Sequence, residues 1–434
     1  MMAAAIIGPM AAATQLSSVF PLGSRLNERG RLEVGGCDTV ELAREFGTPT
    51  YVVAEDDLRV RARAFVEAFQ TRHDDVSVVF ASKAFPCTAV LRLFAQEGLS
   101  CDVASGGELH LALRAGFEPQ RLVFHGNARS TAELELALER EVGLIVIDGF
   151  DDIDRLEALQ ARRRGPGTRR QPVLVRVTPG VAPDTHASIS TGQPDSKFGL
   201  GVPDARVALE RLDASPGLEL QGLHMHLGSQ LLDLAPYRAG VEVLATLGRF
   251  PVYDLGGGLG VAYADADRPP SVADYAEAKV SALHDLLGPG RRLLVEPGRA
   301  LVANGAVTLY SVMSVKRNVS TWVAVDGGMS DNLRPMLYGS RYEIEVADRF
   351  GGSTLCRVAG KHCESGDVLV REALLDQPQV GDVLVTPATG AYTYAMANNY
   401  NGVPRAPVVF CSDGDARLVV RRDTLADLEA RDIP

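Results

Sequence analysis

The chain has 434 residues, 46% of them hydrophobic and 23% charged, a mix that buries a core and excludes a disordered chain. Lys and Arg number 44 against 55 Asp and Glu, a net charge of −11, so the basic footprint of a nucleic-acid binder is missing. No apolar run reaches the ~20 residues of a membrane span, and the six cysteines show no CxxC spacing, which excludes a disulfide framework and leaves a reducing cytoplasm as the expected compartment.

The opening MMAAAIIGPMAAAT has no Lys or Arg before Arg25, so it reads as a weakly structured extension and not as a secretory leader. Residues 1–45 are expected to be this extension plus a strand that packs with a later β domain. Short apolar or β-branched runs then recur at 76–82, 99–104, 121–126, 143–149, 172–178, 220–227, 251–257 and 291–298. Helical spacing separates them: Val90, Leu91, Phe94 and Ala95 share a face, as do Leu134, Ala137 and Leu138, and Ile153, Leu156 and Leu159. Strands alternating with helices pair in parallel through crossovers. A doubly wound sheet would alternate too, but eight strands in about 220 residues predict an α/β chain folded as a (β/α)8 TIM-type barrel over residues 46–305. Beyond it, 306–434 runs in short strands between Gly, Asp and Pro turns, which predicts a mostly antiparallel β domain. The stretch ARRRGPGTRR (161–170) holds five arginines and reads as a solvated barrel loop or an anion-binding one.

Each barrel run is followed by polar or glycine-rich chemistry: Lys83, Asp102 with Ser105, His125 with Asn127, Asp148, Arg176, His226 with Ser229, the 256–258 glycines, and Glu296 with Arg299. In a barrel these ends open onto the one face where active sites form. Lys83 in VVFASKAFP would point into that mouth, where desolvation lowers an amine's pKa and makes it nucleophilic toward a carbonyl; a solvated strand-end lysine fits the same pattern. DLGGGLG (254–260) lets backbone N–H groups approach a phosphate, or is simply a tight turn. It does not match GxGxxG, so a dinucleotide is a poor fit. Glu296 could keep a ring nitrogen protonated through a charge-assisted bond worth about 1.5–3 kcal/mol, or pair with Arg299. His224 and His226 share a strand face, but no acidic or Cys motif accompanies them, so no metal is expected. In CESGD (363–367) a cysteine beside carboxylates could act as an acid, although an isolated Cys is more commonly structural.

Ten blocks stand in an order that resembles the fold-type III pyridoxal-phosphate decarboxylases: ASKAF around Lys83, CDVASGGEL (101–109), HGN (125–127), the 185–199 stretch THASISTG…SKFG, GLHMHLGSQ (222–230), DLGGGLG, EPGRALVANGA (296–306), LRPMLYG (333–339), CESGD and GAYTYAMANNYN (390–401). The likeness covers about residues 30–425. LRPMLYG with CESGD is similar to the branch acting on diaminopimelate, more than to the ornithine or arginine branches. The chain departs from the family pattern after Asn127, with Ala128 and Arg129, and after the LYG turn, with Arg341 and Tyr342, which bears on substrate detail more than on reaction type.

The resemblance implies an alanine racemase-like barrel and pyridoxal 5'-phosphate as cofactor. It implies that Lys83 holds the cofactor covalently, that His226 stacks on its ring, and that Ser229, Gly256, Gly257, Gly258, Gly298 and Tyr392 lie around it with Arg299. Glu296 would meet the ring nitrogen. Arg299, Arg334, Tyr338 and Tyr392 match substrate binders, Glu364 the acid that reads a distal amino group, and Cys363 the general acid. The implied reaction turns meso-2,6-diaminopimelate into L-lysine and CO2, the last step of lysine biosynthesis, in a homodimer whose CESGD segment completes the partner's site. The rivals are the same chemistry on another amino acid and a non-catalytic cofactor-binding homologue. Lys83 and Cys363 are both present, against the second. Arg334, Tyr338 and Glu364 stand against the first, because a site built to pair a distal charge rejects analogues lacking it by about 10⁴–10⁵.

Overall fold

The computed structural model describes residues 16–163, 165, 169–181 and 196–433. Residues 1–15 of the expected extension, residues 185–195 of the 185–199 motif, and residues 164 and 166–168 of the arginine-rich stretch lie outside the described residues.

Eight parallel strands close into a barrel: β1 (Val76–Ala81), β2 (Ser100–Val103), β3 (Leu122–Phe124), β4 (Leu144–Ile147), β5 (Gln171–Arg176), β6 (Leu218–His224), β7 (Val252–Asp254) and β8 (Arg292–Val295), which pairs back onto β1. Every apolar run expected as a strand is one of them. The runs are continuous because both faces of a barrel strand are covered. Phe80 points outward onto Phe94 of the helix Thr88–Gln96, ring centroids 4.4 Å apart. Its neighbour Val79 turns inward and clusters with Val123, Val146, Leu174 and Leu294, filling the barrel's interior.

The expected helix faces are the buried ones. Val90, Leu91 and Phe94 are buried on Thr88–Gln96, with Ala95 packed at the margin. Leu134, Ala137 and Leu138 are buried on Thr131–Glu139, and Ile153, Leu156 and Leu159 on Phe150–Arg163. Ser130 and Glu133 cap the second of these reciprocally, a device worth ~1 kcal/mol. Arg129, where the chain leaves the family pattern, is buried and donates to Phe124 O at 2.8 Å, Val146 O at 2.6 Å and Asp152 at 2.7 Å. It clamps β3 and β4 to the helix that follows.

The second unit is a nine-stranded, mostly antiparallel sheet. Two pairings are parallel: Thr321–Val325 with Thr354–Ala359, and Thr50–Ala54 with Val408–Ser412. The second corrects an expectation, since Thr50–Ala54 was placed within the 46–305 barrel unit. It lies instead between Ala306–Arg317 and Val408–Ser412. All five residues are buried, Tyr51 and Val53 in the large core and Val52 and Ala54 in a smaller one with Leu32, Val34 and Val409. A short run covered on both faces suits a central position in either sheet, so periodicity alone does not assign it. No helix among the described residues is long and apolar enough to cross a membrane.

Candidate active site

The C-terminal ends of the barrel strands surround a cavity of about 360 Å³, closed on one side by residues of the β unit. Lys83, His226, Ser229, Gly258, Glu296, Gly298, Arg299, Arg334, Tyr338 and Tyr392 all line it, from strand ends and loops far apart in the chain.

Lys83 sits in the single turn Ser82–Ala84 after β1. Its Nζ donates to Asp102 Oδ2, at the end of β2, over 3.3 Å. Asp102 is buried while 45% of the lysine side chain stays open to the cavity. Desolvation was expected to lower this amine's pKa. It is raised instead, because the Asp102 carboxylate outweighs burial.

Glu296, just past β8, is held by two imidazoles. Its Oε1 lies 2.6 Å from His125 Nε2 and its Oε2 3.3 Å from His224 Nε2. Burial alone would raise this carboxyl, but His125 and His224 hold it well below the usual range, so it stays ionised. Burial drives His224 down to about 3, so a neutral imidazole donates Nε2–H to Oε2. Asp254, at the end of β7, is pushed well up by burial and by Glu296 beside it. Despite their closeness, neither Glu296 Oε1 nor His125 Nε2 has a hydrogen bond of acceptable angle. A buried carboxylate oxygen without an aligned donor fits a protonated ring nitrogen.

The two histidines expected on one strand face part ways. His226 turns to the glycine turn, where its Nδ1 accepts from Gly257 N–H at 3.2 Å, and burial holds it well below the usual imidazole range. His125, His224, Asp254 and Glu296 place donor atoms within 4.8 Å of one another, a set that could also hold a divalent metal. His226 is not in it.

The 256–258 turn is glycine by necessity. A Cβ would stand 2.5 Å from Met225 O at Gly256, 2.1 Å from Glu296 O at Gly257 and 2.6 Å from Tyr237 Oη at Gly258. Gly256 and Gly258 also have φ of 63° and 112°, conformations that L side chains rarely adopt. Such a cradle fits a phosphate approached by backbone.

The cavity's two buried guanidiniums have no acidic partner among the described residues. Arg299 does not pair with Glu296; its Nη2 and Nε donate to Ser229 Oγ at 2.8 and 3.2 Å and its Nη1 to Tyr263 Oη at 2.5 Å. Arg334 donates to Tyr342 Oη and lies 4.7 Å over the Tyr263 ring. Both guanidiniums are buried, and neither has a carboxylate within 4 Å among the described residues. Burial would raise the Tyr263 phenol, but Arg299 and Arg334 more than offset it and lower its pKa. Two buried cations facing one cavity form a receptor for an anion. Tyr392, at φ 60°, ties the β unit to the lysine turn through N–H to Ala84 O at 2.9 Å, with the Arg299 guanidinium 4.9 Å over its ring.

Two expected site residues stand apart. Cys363 is exposed, its N–H donating to Asn401 Oδ1 at 2.9 Å, and neither it nor Glu364 lines the cavity. Conversely, Tyr263 and Tyr342 were not anticipated. The signal for Tyr263 was its place just behind the glycine run, and that for Tyr342 its place just past the LYG turn, where the sequence departs from the family pattern.

A family model described as "Pyridoxal-dependent decarboxylase, pyridoxal binding domain" matches residues 55–303. The chain is 46% identical over 430 residues to diaminopimelate decarboxylase of Actinosynnema pretiosum subsp. auranticum, covering 96% of each. It is 42% identical to that of Bacillus subtilis (strain 168), covering 95% of this chain and 97% of the relative. The crystal structure of diaminopimelate decarboxylase from M. jannaschii in complex with L-lysine superposes with a TM-score of 0.88 at 32% identity, over 95% of this chain and 98% of that one. Matched to that family model over more than half its length and to these relatives over nearly all of it, the chain belongs to the diaminopimelate decarboxylase family of pyridoxal-dependent decarboxylases.

Proposed function

We propose that the chain's own residues carry out the decarboxylation of meso-2,6-diaminopimelate to L-lysine and CO2, the last step of lysine biosynthesis. The observation that carries this reading is the pair of buried guanidiniums, Arg299 and Arg334, facing the lysine-bearing cavity without acidic partners. Pyridoxal phosphate, when bound, supplies an aldehyde that exchanges amines and a ring that accepts the electrons of the broken bond. Lys83 would hold it covalently and His226 would lie at its ring. Ser229, Gly256, Gly257, Gly258 and Tyr392 would surround its phosphate, Gly298 and Arg299 would also lie against the cofactor, and Glu296 would keep its ring nitrogen protonated.

Arg299, Arg334, Tyr338 and Tyr392 bind and orient the substrate in this reading. The guanidiniums fix a carboxylate with directional, charge-assisted bonds. Glu364 reads the distal ammonium, and Cys363 Sγ delivers the proton that replaces the lost carboxylate at Cα. Because Cys363 and Glu364 lie outside their own chain's cavity, the working unit is a homodimer in which each CESGD segment completes the partner's site. The cytoplasm is the assigned compartment, in keeping with six cysteines that remain free thiols.

The test is CO2 release with added pyridoxal phosphate, scored on meso-diaminopimelate beside L-lysine, L-ornithine and L-arginine. Release from meso-diaminopimelate alone, with lysine accumulating, is expected. Release from another of the four in its place would overturn the substrate assignment.

A further inference from the structure

Behind the glycine turn lies a cation that the reaction does not use. Lys279, on the helix Val272–Leu287, is fully buried. Its Nζ donates to Leu255 O at 2.7 Å and Gly256 O at 2.5 Å and sits 4.5 Å from the ring centroids of both Tyr237 and Tyr275. It has no carboxylate within 4 Å among the described residues and does not line the cavity. An ammonium kept from water without a counter-ion is costly, so a purely apolar contact would serve packing better at this place.

The carbonyls it holds belong to the two peptides whose N–H groups lie on the other side. Gly256 N–H donates to Asp254 Oδ1 at 2.9 Å and Gly257 N–H to His226 Nδ1 at 3.2 Å. The next peptide is treated alike by a neutral group: Gly257 O accepts from Tyr237 Oη at 2.7 Å. Its N–H, on Gly258, has no hydrogen-bond partner among the described residues, and Gly258 lines the cavity. Three successive carbonyls are thus drawn toward the helix: two of the peptides have their N–H groups fixed by Asp254 and His226, and the third, polarised by Tyr237, leaves the Gly258 N–H at the cavity.

We infer that Lys279 and Tyr237 are positioning residues for a phosphoryl group: from behind, Lys279 anchors the 256–258 turn and Tyr237 polarises the peptide whose N–H meets the cavity, so that the cofactor is selected through its phosphate. The inference rests on the reading of this turn as the phosphate site. Burial draws the Lys279 ammonium down to about 7, although Asp254 and Glu296 act to raise it.

The experiment compares dissociation constants of pyridoxal phosphate and of pyridoxal, which lacks the phosphate, for the full chain and its Lys279→Met and Tyr237→Phe variants. Visible absorbance of the bound cofactor is the readout, with inorganic phosphate as a competitor. The unsubstituted chain should prefer pyridoxal phosphate, and inorganic phosphate should compete. Lys279→Met should narrow that preference by about tenfold while pyridoxal affinity moves by less than about threefold, the loss of a charge-assisted anchor. Tyr237→Phe, which keeps the ring and removes one hydroxyl, should narrow it less and in the same direction. Equal weakening of both ligands, or an unchanged preference in Tyr237→Phe should Lys279→Met not fold, overturns the positioning role. Absence of any preference in the unsubstituted chain overturns the phosphate site itself, and the inference with it.

Discussion

Lys83 Nζ and Asp102 Oδ2 lie 3.3 Å apart across the ends of two adjacent barrel strands. The carboxylate keeps the lysine protonated, so the amine that must attack an aldehyde is held back until a proton is removed. Asp102→Asn removes that hold. The rate of pyridoxal-phosphate incorporation, followed by absorbance against pH, should rise at neutral pH and its inflection should move to lower pH. Each unit of movement makes about ten times more neutral amine. A profile that stays in place would show that Asp102 does not set the lysine's protonation.

Glu296 keeps its charge because two histidines hold it and burial alone does not win. Glu296→Gln preserves shape and removes the charge. If its role is to keep a ring nitrogen protonated, kcat at saturating cofactor should fall about ten- to a hundredfold, the equivalent of a charge-assisted bond of about 1.5–3 kcal/mol. KM for the substrate should change little, since in that role Glu296 would meet the ring, and no ion pair among the described residues joins it to either guanidinium. A loss confined to KM would place Glu296 on the substrate.

Arg334 donates to Tyr342 and stacks on Tyr263 but has no acidic partner among the described residues. Burying an uncompensated charge costs folding stability, and binding an anion repays it. Arg334→Met should therefore lower kcat/KM by at least about thirtyfold, as loss of a charged contact of about 2–5 kcal/mol predicts. The melting temperature of the cofactor-free protein should not fall. A variant that loses activity and several degrees of Tm together would make Arg334 a structural residue.

The eight barrel strands were legible because a strand covered on both faces writes itself as a continuous apolar run with a polar end, and VSVVFASK and RRLLVEPG are of that kind. The same property hid the place of Thr50–Ala54, whose TYVVA fits a central strand of either sheet. The identities of the cavity residues were readable from motif order, but their electrostatics were not. Which carboxylate faces Lys83 depends on strand adjacency, and Asp102 is 19 positions away. Arg299 meets Tyr263 across 36 positions, a contact between the segments that follow the adjacent strands β7 and β8. Lys279 reads locally as one more surface helix residue, and its burial under the glycine turn follows from how that helix packs.

The exposed position of Cys363 makes the shared-site reading open to a mixing experiment. Lys83→Ala and Cys363→Ala should each be inactive as homodimers, for each lacks one half of both sites. If each site draws its lysine from one chain and its cysteine from the other, a mixed dimer has one site that carries both substitutions and one that carries neither. Unfolding and refolding an equal mixture gives mixed dimers as half of all dimers, each with one intact site, so activity should return to about a quarter of the unsubstituted level. If Cys363 serves its own chain's cavity, every site in the mixture lacks one residue and no activity returns. Sizing of the same mixture distinguishes the outcomes: a dimer without recovered activity rejects the exchange of CESGD segments, and a monomer with full activity in the unsubstituted protein rejects the dimer.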